Sequence, residues 1–238
     1  MRERVTVACV LKSGGDFGIQ DARNLYGSVI RHFGDVDFRC LVDAEAEAFT
    51  NAPNWTFQEL ETDWPSWWAK MELFRLPGPV ITLDLDTVPV GDCRDICTFV
   101  QSLGPREFMC LRDFGRVPYG SGIMGWGHTN MTWLADLFAR DYPQARHRVS
   151  KSGYHLYLNN KRYHGDQAYM TEKAPSRMQM VLIQDKFDGI DSYKWTVAKS
   201  GLKENQRIVC FHGKPRPLEV RPQPDWLSRE GWTRERSL

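Results

Sequence analysis

The feature that most constrains this chain is an apolar run that leads directly into two acidic side chains. Val80–Leu83 forms the run, and Asp84 and Asp86 follow it. On an extended chain, side chains at positions i and i+2 lie on the same face. Two carboxylates held so close repel each other and raise each other's pKa unless a cation lies between them. Because hard divalent ions with oxygen ligands relieve this repulsion, the segment predicts a magnesium or manganese site rather than a solvated turn.

Composition and charge place the chain among globular proteins. Its 238 residues are 42% hydrophobic and 26% charged, which is enough to bury the core of a single domain. A net charge of +1 gives no whole-chain electrostatic preference for nucleic acid. No apolar run approaches the roughly 20 residues that span a bilayer, and Met1–Lys12 lacks the cleavage pattern of a signal peptide. We therefore expect a cytoplasmic protein with no transmembrane segment and with reduced cysteines.

The first half of the chain alternates short apolar runs with amphipathic segments. The apolar runs predict strands over Val5–Leu11, Phe38–Val42 and Val80–Leu83. Helices are predicted over Gln20–Phe33, where apolar residues recur every fourth position, and over Trp67–Leu76, which a Pro-Gly-Pro sequence ends. This alternation predicts an α/β fold with a central, mostly parallel sheet flanked by helices.

The second half is less regular but contains further strand candidates. Strands are predicted over Phe108–Leu111, Met180–Ile183 and Ile208–Phe211. A helix is predicted over Thr129–Ala139, with Thr129 as its N-cap.

Two polar segments of the second half show no clear helix or strand pattern. Residues 151–164 interleave basic and aromatic side chains, which we interpret as a solvated loop beside the site, with an acceptor-binding strip as the alternative. Prolines recur after Phe211, so residues 218–238 are predicted to form an irregular C-terminal tail.

Polar residues directly follow the predicted strands. In open parallel sheets, ligands bind beyond the carboxyl ends of the strands, so these residues are expected to meet at one edge. They are Lys12–Asp16, Asp43, Asp84 and Asp86, Asp113, and His212–Lys214.

Two classes of enzyme use an apolar strand that enters an Asp-x-Asp sequence. In phosphatases of the haloacid-dehalogenase type, Asp84 would be a nucleophile and Asp86 a general acid/base. In GT-A glycosyltransferases the pair holds Mn²⁺ and the diphosphate of a nucleotide sugar. The phosphatase sequence follows the first strand, whereas about 80 residues with two predicted strands and two predicted helices come first here. The position favours the glycosyltransferase pattern, in which a preceding half-sheet binds the nucleotide base.

Three further segments follow in a fixed order: Gly120-Ser121-Gly122-Ile123-Met124, Gly165-Asp166-Gln167 and Phe211-His212-Gly213-Lys214-Pro215. With them, the chain resembles compact GT-A glycosyltransferases of the glycogenin and lipopolysaccharide-galactosyltransferase group over most of residues 5–217. The resemblance implies a single GT-A domain over 1–217. Its nucleotide-binding half would cover about 1–112 and its acceptor-side half about 113–217, with the tail at 218–238.

The resemblance implies a role for each segment. Asp84, Asp86 and His212 would hold Mn²⁺ or Mg²⁺, and Asp166 with Gln167 would lie beside the transferred sugar as catalytic residues. The implied donor-binding residues are Val10, Leu11, Lys12, Lys70, Asp84, Leu85, Asp86, Gly120, Ser121, Gly122, Gly213 and Lys214. The family pattern has two residues between its glycine and its lysine, whereas Gly213 and Lys214 are adjacent here.

The function that the resemblance implies is metal-dependent transfer of a hexose from a nucleotide sugar, with UDP as the nucleotide, to a hydroxyl acceptor. The acceptor stays open among glycan, lipid, protein and modified nucleobase. In an inverting enzyme Asp166 would be the general base, and in a retaining enzyme it would position a cationic sugar. The motif favours the retaining enzyme. Asp166 is also a candidate helix N-cap. Trp67 and Trp68 are interpreted first as core packing and second as an acceptor platform. A phosphatase and a non-catalytic nucleotide-sugar-binding protein are the alternatives.

Overall fold

The computed structural model describes residues 3–43, 55–115, 117–150 and 153–233. The strands in this part of the chain are β1 (Thr6–Leu11), β2 (Asp37–Val42), β3 (Trp55–Glu59), β4 (Val80–Leu83), β5 (Thr87–Pro89), β6 (Glu107–Arg112), β7 (Tyr119–Trp126), β8 (Arg146–Ser150), β9 (Gly153–Leu158), β10 (Lys161–His164), β11 (Gln179–Leu182), β12 (Ile190–Ser192) and β13 (Ile208–Cys210). The helices are α1 (Ile19–Phe33), α2 (Arg94–Ser102), α3 (Thr132–Asp141), α4 (Gly165–Lys173), α5 (Ala198–Ser200) and α6 (Asp225–Arg229), and a 3₁₀ helix covers Ser66–Arg75. None of the described helices is long and apolar enough to span a membrane.

The central sheet has the order β11-β6-β7-β4-β1-β2-β3. Strands β3, β2, β1 and β4 run parallel, β7 is antiparallel to both of its neighbours, and β11 is parallel to β6. The mostly parallel sheet that the sequence predicts is therefore confirmed.

Apolar clusters cover both faces of this sheet. In β1, Val7 and Cys9 belong to the cluster that α1 covers, whereas Ala8 belongs to the opposite cluster, which the 3₁₀ helix and α3 cover. Successive side chains of a strand point to opposite faces, and strands covered on both faces read as continuous apolar runs. This is why short apolar runs were sufficient to identify the central strands.

The early helices follow the sequence pattern with one difference in geometry. In α1, Leu25, Val29 and Phe33 are buried along one face, and the helix ends at Gly34. The segment predicted as a helix over Trp67–Leu76 is a 3₁₀ helix whose buried side chains do not form one stripe. It is enclosed by the sheet, α3 and α4, so burial on several sides replaces the amphipathic pattern that the prediction assumed.

Two predicted helix caps are wrong. The backbone N–H of Thr132 donates to Asn130 Oδ1 at 2.8 Å, so α3 begins at Thr132, and Thr129 Oγ1 instead lies 3.5 Å from the carbonyl oxygen of Gly104. Helix α4 begins at Gly165, which places Asp166 inside the first turn rather than at the cap.

Residues 153–164 form strands rather than the solvated loop that was the preferred interpretation. Strands β8, β9 and β10 pair in antiparallel register as a second sheet. Leu156, Leu158 and Tyr163 are buried on one of its faces, and this burial stabilises the sheet. Residues 151 and 152 lie outside the described residues.

The predicted tail is largely irregular but packs into the main core. Leu227, in the short helix α6, and Trp232 are fully buried, and the Trp232 indole N–H donates to Ser28 Oγ at 3.1 Å. Glu230 lies 2.5 Å from Arg31 and 2.8 Å from His32, both on α1. The boundary at residue 217 stays a prediction, since residues beyond it share the core of the preceding part.

Candidate functional site

The carboxyl ends of β1 and β2 are joined by polar contacts. Lys12 Nζ lies 3.2 Å from Asp43 Oδ2 and 2.8 Å from Asp63 Oδ1, and the Ser13 backbone N–H donates to Asp43. Burial opposes ionisation of Asp43, but the hydrogen bonds from Ser13 and the charge of Lys12 lower its pKa overall. The predicted convergence of strand ends at one edge is therefore present here. Leu11 belongs to the core, and Lys12 is the polar residue among the predicted donor-binding residues Val10, Leu11 and Lys12.

The acidic segment after β4 is a turn and not an extended strand. The Thr87 backbone N–H donates to the carbonyl oxygen of Asp84 at 2.9 Å, and Leu85 between the acids is buried. The assumption that both carboxylates lie on one face of an extended chain is therefore wrong. Asp84 and Asp86 instead contact two different basic side chains.

Lys70 joins the acidic turn to the start of α4. Its ammonium lies 2.6 Å from Asp84 Oδ1 and 3.0 Å from Asp166 Oδ2, and it also donates to Ser121 Oγ at 3.0 Å. Burial opposes the charged ammonium, but the charges of Asp166 and Asp84 raise the pKa of Lys70 overall. Residues from three of the predicted segments, together with the predicted lysine, therefore meet at one point.

The glycines of β7 lie beside this cluster. A Cβ at Gly122 would lie 3.7 Å from Asp84 Oδ2, in ordinary contact, so a larger side chain would extend over the carboxylate. The Ser121 backbone N–H lies 3.4 Å from Gln167 Oε1, which links β7 to α4. Gly120, on the same strand, packs against Leu111 of β6.

Asp86 faces Arg216, which the sequence did not identify. The guanidinium of Arg216 contacts Asp86, lies 3.2 Å from Asp16 Oδ2, and stacks over the Phe17 ring at 4.3 Å. Burial and the charge of Asp84 raise the pKa of Asp86 to about 7, although Arg216 opposes the shift. The only sequence signal for Arg216 was its place two residues after Lys214.

His212 does not join the two carboxylates. Its Nε2 lies 2.6 Å from Ser192 Oγ, and its ring stacks on Phe114 with centroids 5.2 Å apart. Burial and then the charge of Lys194 lower its pKa, with Asp113 opposing the shift. Among the described residues, no group of three His, Cys, Asp or Glu side chains is arranged to hold a metal ion. The metal role of His212 stays a prediction.

The acidic turn still suits a hard divalent ion. Mg²⁺ in particular is usually held by one or two carboxylates, with substrate phosphates and water completing the shell. Asp84 has 31% of its side chain exposed, so its carboxylate is accessible to a ligand. A divalent cation between the two carboxylates would relieve their mutual repulsion, so this pair fits such an ion. A diphosphate would supply further oxygen ligands to it.

Lys194 brings its ammonium against the Gly213 loop, whereas Lys214 points to a different partner. Lys214 Nζ lies 2.7 Å from Glu219 Oε1, and 66% of its side chain is exposed. Lys194 Nζ donates to the His212 carbonyl oxygen and lies 3.1 Å from where a Cβ of Gly213 would be. Burial and then the charge of Arg216 lower the pKa of Lys194. Sequence reasoning missed Lys194 because nothing in its local pattern distinguishes it from a surface lysine.

The two tryptophans differ in their surroundings. Trp68 is fully buried and stacks on Phe138 at 5.1 Å, so it offers no ring face to an acceptor and packs the core instead. The Trp67 ring meets His164 at a centroid distance of 5.4 Å, and its Nε1 would lie 3.3 Å from a Cβ at Gly165. Gly165 has φ of +80°, a conformation that favours glycine. Of the two, only Trp67 lies beside the start of α4.

No protein-family model and no curated protein matches the chain. Its structure is similar to that of the glycosyltransferase GlyE from Streptococcus pneumoniae TIGR4, with a TM-score of 0.61 and 14% identity over 96% of this chain. The match covers 60% of GlyE, so this chain spans less than two thirds of that protein.

Two further solved structures match over most of their own length. The galactosyltransferase LgtC, solved with donor and acceptor sugar analogs, matches with a TM-score of 0.61 and 11% identity over 95% of this chain and 94% of LgtC. Mouse xyloside xylosyltransferase 1 matches with a TM-score of 0.50 and 10% identity over 90% of this chain and 98% of its own. The chain therefore has the fold of these glycosyltransferases, as the resemblance predicted.

Proposed function

We propose that this chain is a glycosyltransferase that moves a hexose from UDP-hexose to a hydroxyl acceptor, with retention of anomeric configuration and with Mn²⁺ or Mg²⁺ at Asp84 and Asp86. The observation that carries the proposal is the position of Lys70, which contacts Asp84 at 2.6 Å and Asp166 at 3.0 Å. The Asp-x-Asp and Gly-Asp-Gln segments, chosen separately from the sequence, meet at this ammonium. The shared fold with GlyE and LgtC supports the same function.

The donor diphosphate would lie between the acidic turn and the Gly213 loop. A bound divalent ion would stabilise the negative charge that builds up on the leaving diphosphate. Asp84 and Asp86 would hold that ion, and Lys194 with Arg216 would contact the phosphate oxygens. The positive charge of Arg216 lowers the pKa of Lys194, so the two groups repel each other. An anion between them would relieve that repulsion.

The transfer step exchanges one carbon–oxygen bond for another and moves one proton. The acceptor hydroxyl oxygen bonds to the anomeric carbon on the face from which the diphosphate leaves. The bond between that carbon and the diphosphate oxygen breaks, and its electron pair stays on the oxygen. The hydroxyl proton passes to the same departing oxygen, so no protein base is needed.

Asp166 is suited to positioning rather than to proton abstraction. Its Oδ2 is paired with Lys70 at 3.0 Å, and only 10% of its side chain is exposed. A carboxylate held in this way stabilises positive charge on the sugar as the bond to the diphosphate breaks. Gln167, on the next position of α4, contacts the Ser121 backbone N–H and would lie against the same sugar.

Asp86→Asn tests the acidic turn. We expect it to lower Mn²⁺-dependent release of UDP from UDP-hexose by on the order of 100-fold, because charge stabilisation of the leaving group is lost. The matched control is Asp188→Asn, since Asp188 is exposed and forms no ion pair among the described residues. Circular dichroism shows whether both variants keep the wild-type fold.

Three outcomes would overturn the proposal. Equal UDP release by Asp86→Asn and wild type would remove the acidic turn from the mechanism. Wild type that binds UDP without hydrolysing or transferring any of the nucleotide sugars tested would be a binding protein. A phosphoaspartate analogue formed at Asp84 with beryllium fluoride would indicate a phosphatase.

A further inference from the structure

The second sheet carries three exposed arginines on the face opposite its buried leucines, with the buried His155 between Arg148 and His164. Its register places Arg146, Tyr157 and Arg162 side by side across the three strands, and Arg148, His155 and His164 in the next row. Residues directly opposite each other in a sheet lie on the same face. We call these six residues the basic face.

The other side of this sheet faces the core. Leu156 and Tyr163 are 2% and 3% exposed and belong to the apolar cluster beneath α3 and α4. In contrast, Arg146, Arg148 and Arg162 are exposed, and none of them forms an ion pair among the described residues. The basic face contains no acidic residue, so its positive charge is not neutralised within the sheet.

The basic face continues into the proposed catalytic centre. His164 ends β10, its ring centroid lies 4.7 Å from that of His155, and it meets the Trp67 ring at a steep angle with centroids 5.4 Å apart. The next residues along the chain are Gly165 and Asp166, the second of which is paired with Lys70. A ligand that covers the basic face therefore approaches Asp166 past two aromatic rings, those of His164 and Trp67.

We propose that the basic face binds the acceptor and that this acceptor is an acidic glycan, a sugar chain that carries carboxylates. The proposal deepens the glycosyltransferase function and rests on it. Guanidinium groups bind carboxylates through paired N–H donors, and the exposed arginines supply them on the two strands that flank β9. The acceptor hydroxyl then attacks the anomeric carbon as described above, and the carboxylates stay unchanged.

The same features argue against a nucleic acid. Single-stranded nucleic acids stack successive bases on a series of open aromatic rings. Here His155 is 3% exposed and Tyr157 is half-buried, so the basic face offers no such series. The chain also carries a net charge of only +1, whereas nucleic-acid-binding domains are usually strongly basic.

The test compares an oligogalacturonate with its methyl ester, which has the same sugar chain without the charges. Wild type should bind the acid form at least tenfold more tightly at low ionic strength, measured by isothermal titration calorimetry. The combined variant Arg146→Gln, Arg148→Gln, Arg162→Gln should lose this preference and keep its UDP affinity. The charge-matched control is Lys186→Gln, Lys199→Gln, Arg229→Gln, which removes exposed charges elsewhere and should keep the preference.

The contrary results separate failure of the acidic-glycan proposal from failure of the glycosyltransferase function. Equal affinity of wild type for acid and ester, or an unchanged preference in the basic-face variant, overturns the acidic-glycan proposal. So does a single-stranded oligonucleotide that binds the basic face more tightly than the oligogalacturonate. Wild type that does not bind UDP at all overturns the glycosyltransferase function instead, and the two failures are distinguished because UDP is titrated separately.

Discussion

At the scale of single residues, the site is organised by basic side chains whose acidic partners come from distant parts of the chain. Lys70 holds Asp84 and Asp166, and Arg216 holds Asp86 and Asp16. Removing one partner of a buried ion pair typically costs about 3–5 kcal/mol, because the remaining charge has no partner. These contacts therefore fix the positions of the carboxylates before any ligand binds.

Lys194 and Lys214 form a matched pair for testing the diphosphate contact. We expect Lys194→Ala to weaken UDP binding roughly tenfold or more, since a charge-assisted hydrogen bond contributes about 1.5–3 kcal/mol. Lys214→Ala should leave the affinity within about twofold, because Lys214 is paired with Glu219 and exposed. Calorimetric titration with UDP and with uridine checks this: the uridine affinity should not change in either variant. A larger loss in Lys214→Ala than in Lys194→Ala would return the diphosphate role to Lys214.

The site residues that the sequence identified differ from those that it missed in what determines their position. Asp84, Asp86 and Asp166 lie at the ends of apolar runs or in short motifs, so local pattern was enough to select them. Lys194 and Arg216 have long side chains whose partners are determined by how β13 and the segment after it pack. Such partners are tertiary properties, and no local spacing encodes them.

At the scale of elements, the C-terminal segment packs against α1. Trp232 is fully buried and bonded to Ser28, and Glu230 contacts Arg31 and His32. The Arg216 backbone is held locally, because its N–H donates to Glu219 Oε2 at 2.9 Å. The prolines predicted the irregular backbone of the C-terminal segment, but the burial of Leu227 and Trp232 depends on the surface that α1 provides.

The Glu230 contacts predict a pH-dependent contribution to stability. Burial opposes ionisation of Glu230, but His32 and then Arg31 lower its pKa overall. A carboxylate with a lowered pKa in the folded state stabilises the fold above its unfolded pKa, and this contribution is lost as the pH falls through the folded value. Glu230→Gln should therefore cost about 1 kcal/mol at pH 7 and much less in acid.

Melting temperatures of wild type and Glu230→Gln across this pH range provide the measurement. Glu204→Gln is the control, because Glu204 is exposed and has no ion pair among the described residues. A difference between wild type and Glu230→Gln that does not shrink in acid would show that the contacts of Glu230 do not depend on its charge.

Elements were predicted well where burial on both faces produced continuous apolar runs, as in β1, β2 and β4. Prediction failed where a sheet has one polar face. In β9 and β10, basic and aromatic residues are interspersed with the buried Leu156, Leu158 and Tyr163, and this mixture resembles a loop. The alternation of Leu156 and Leu158 was the signal that a sheet was present.

At the scale of the whole molecule, the central sheet brings the ends of β1, β2 and β4 to one edge, and β7 and α4 close the site from the other side. The order of motifs along the chain was sufficient to predict the fold, which the match to LgtC over 95% of this chain confirms. The geometry of the proposed metal site was less predictable, because an Asp-x-Asp sequence does not reveal that the chain turns between its acids. The turn directs Asp84 toward Lys70 and Asp86 toward Arg216.

The most direct test is a crystal structure of the wild-type chain with UDP and Mn²⁺, recorded at a wavelength where manganese scatters anomalously. We expect an anomalous peak in contact with Asp84, Asp86 and the diphosphate, with Lys194 against a phosphate oxygen. UDP bound at this edge with no manganese beside the two carboxylates, or manganese and UDP bound elsewhere on the molecule, would contradict the account.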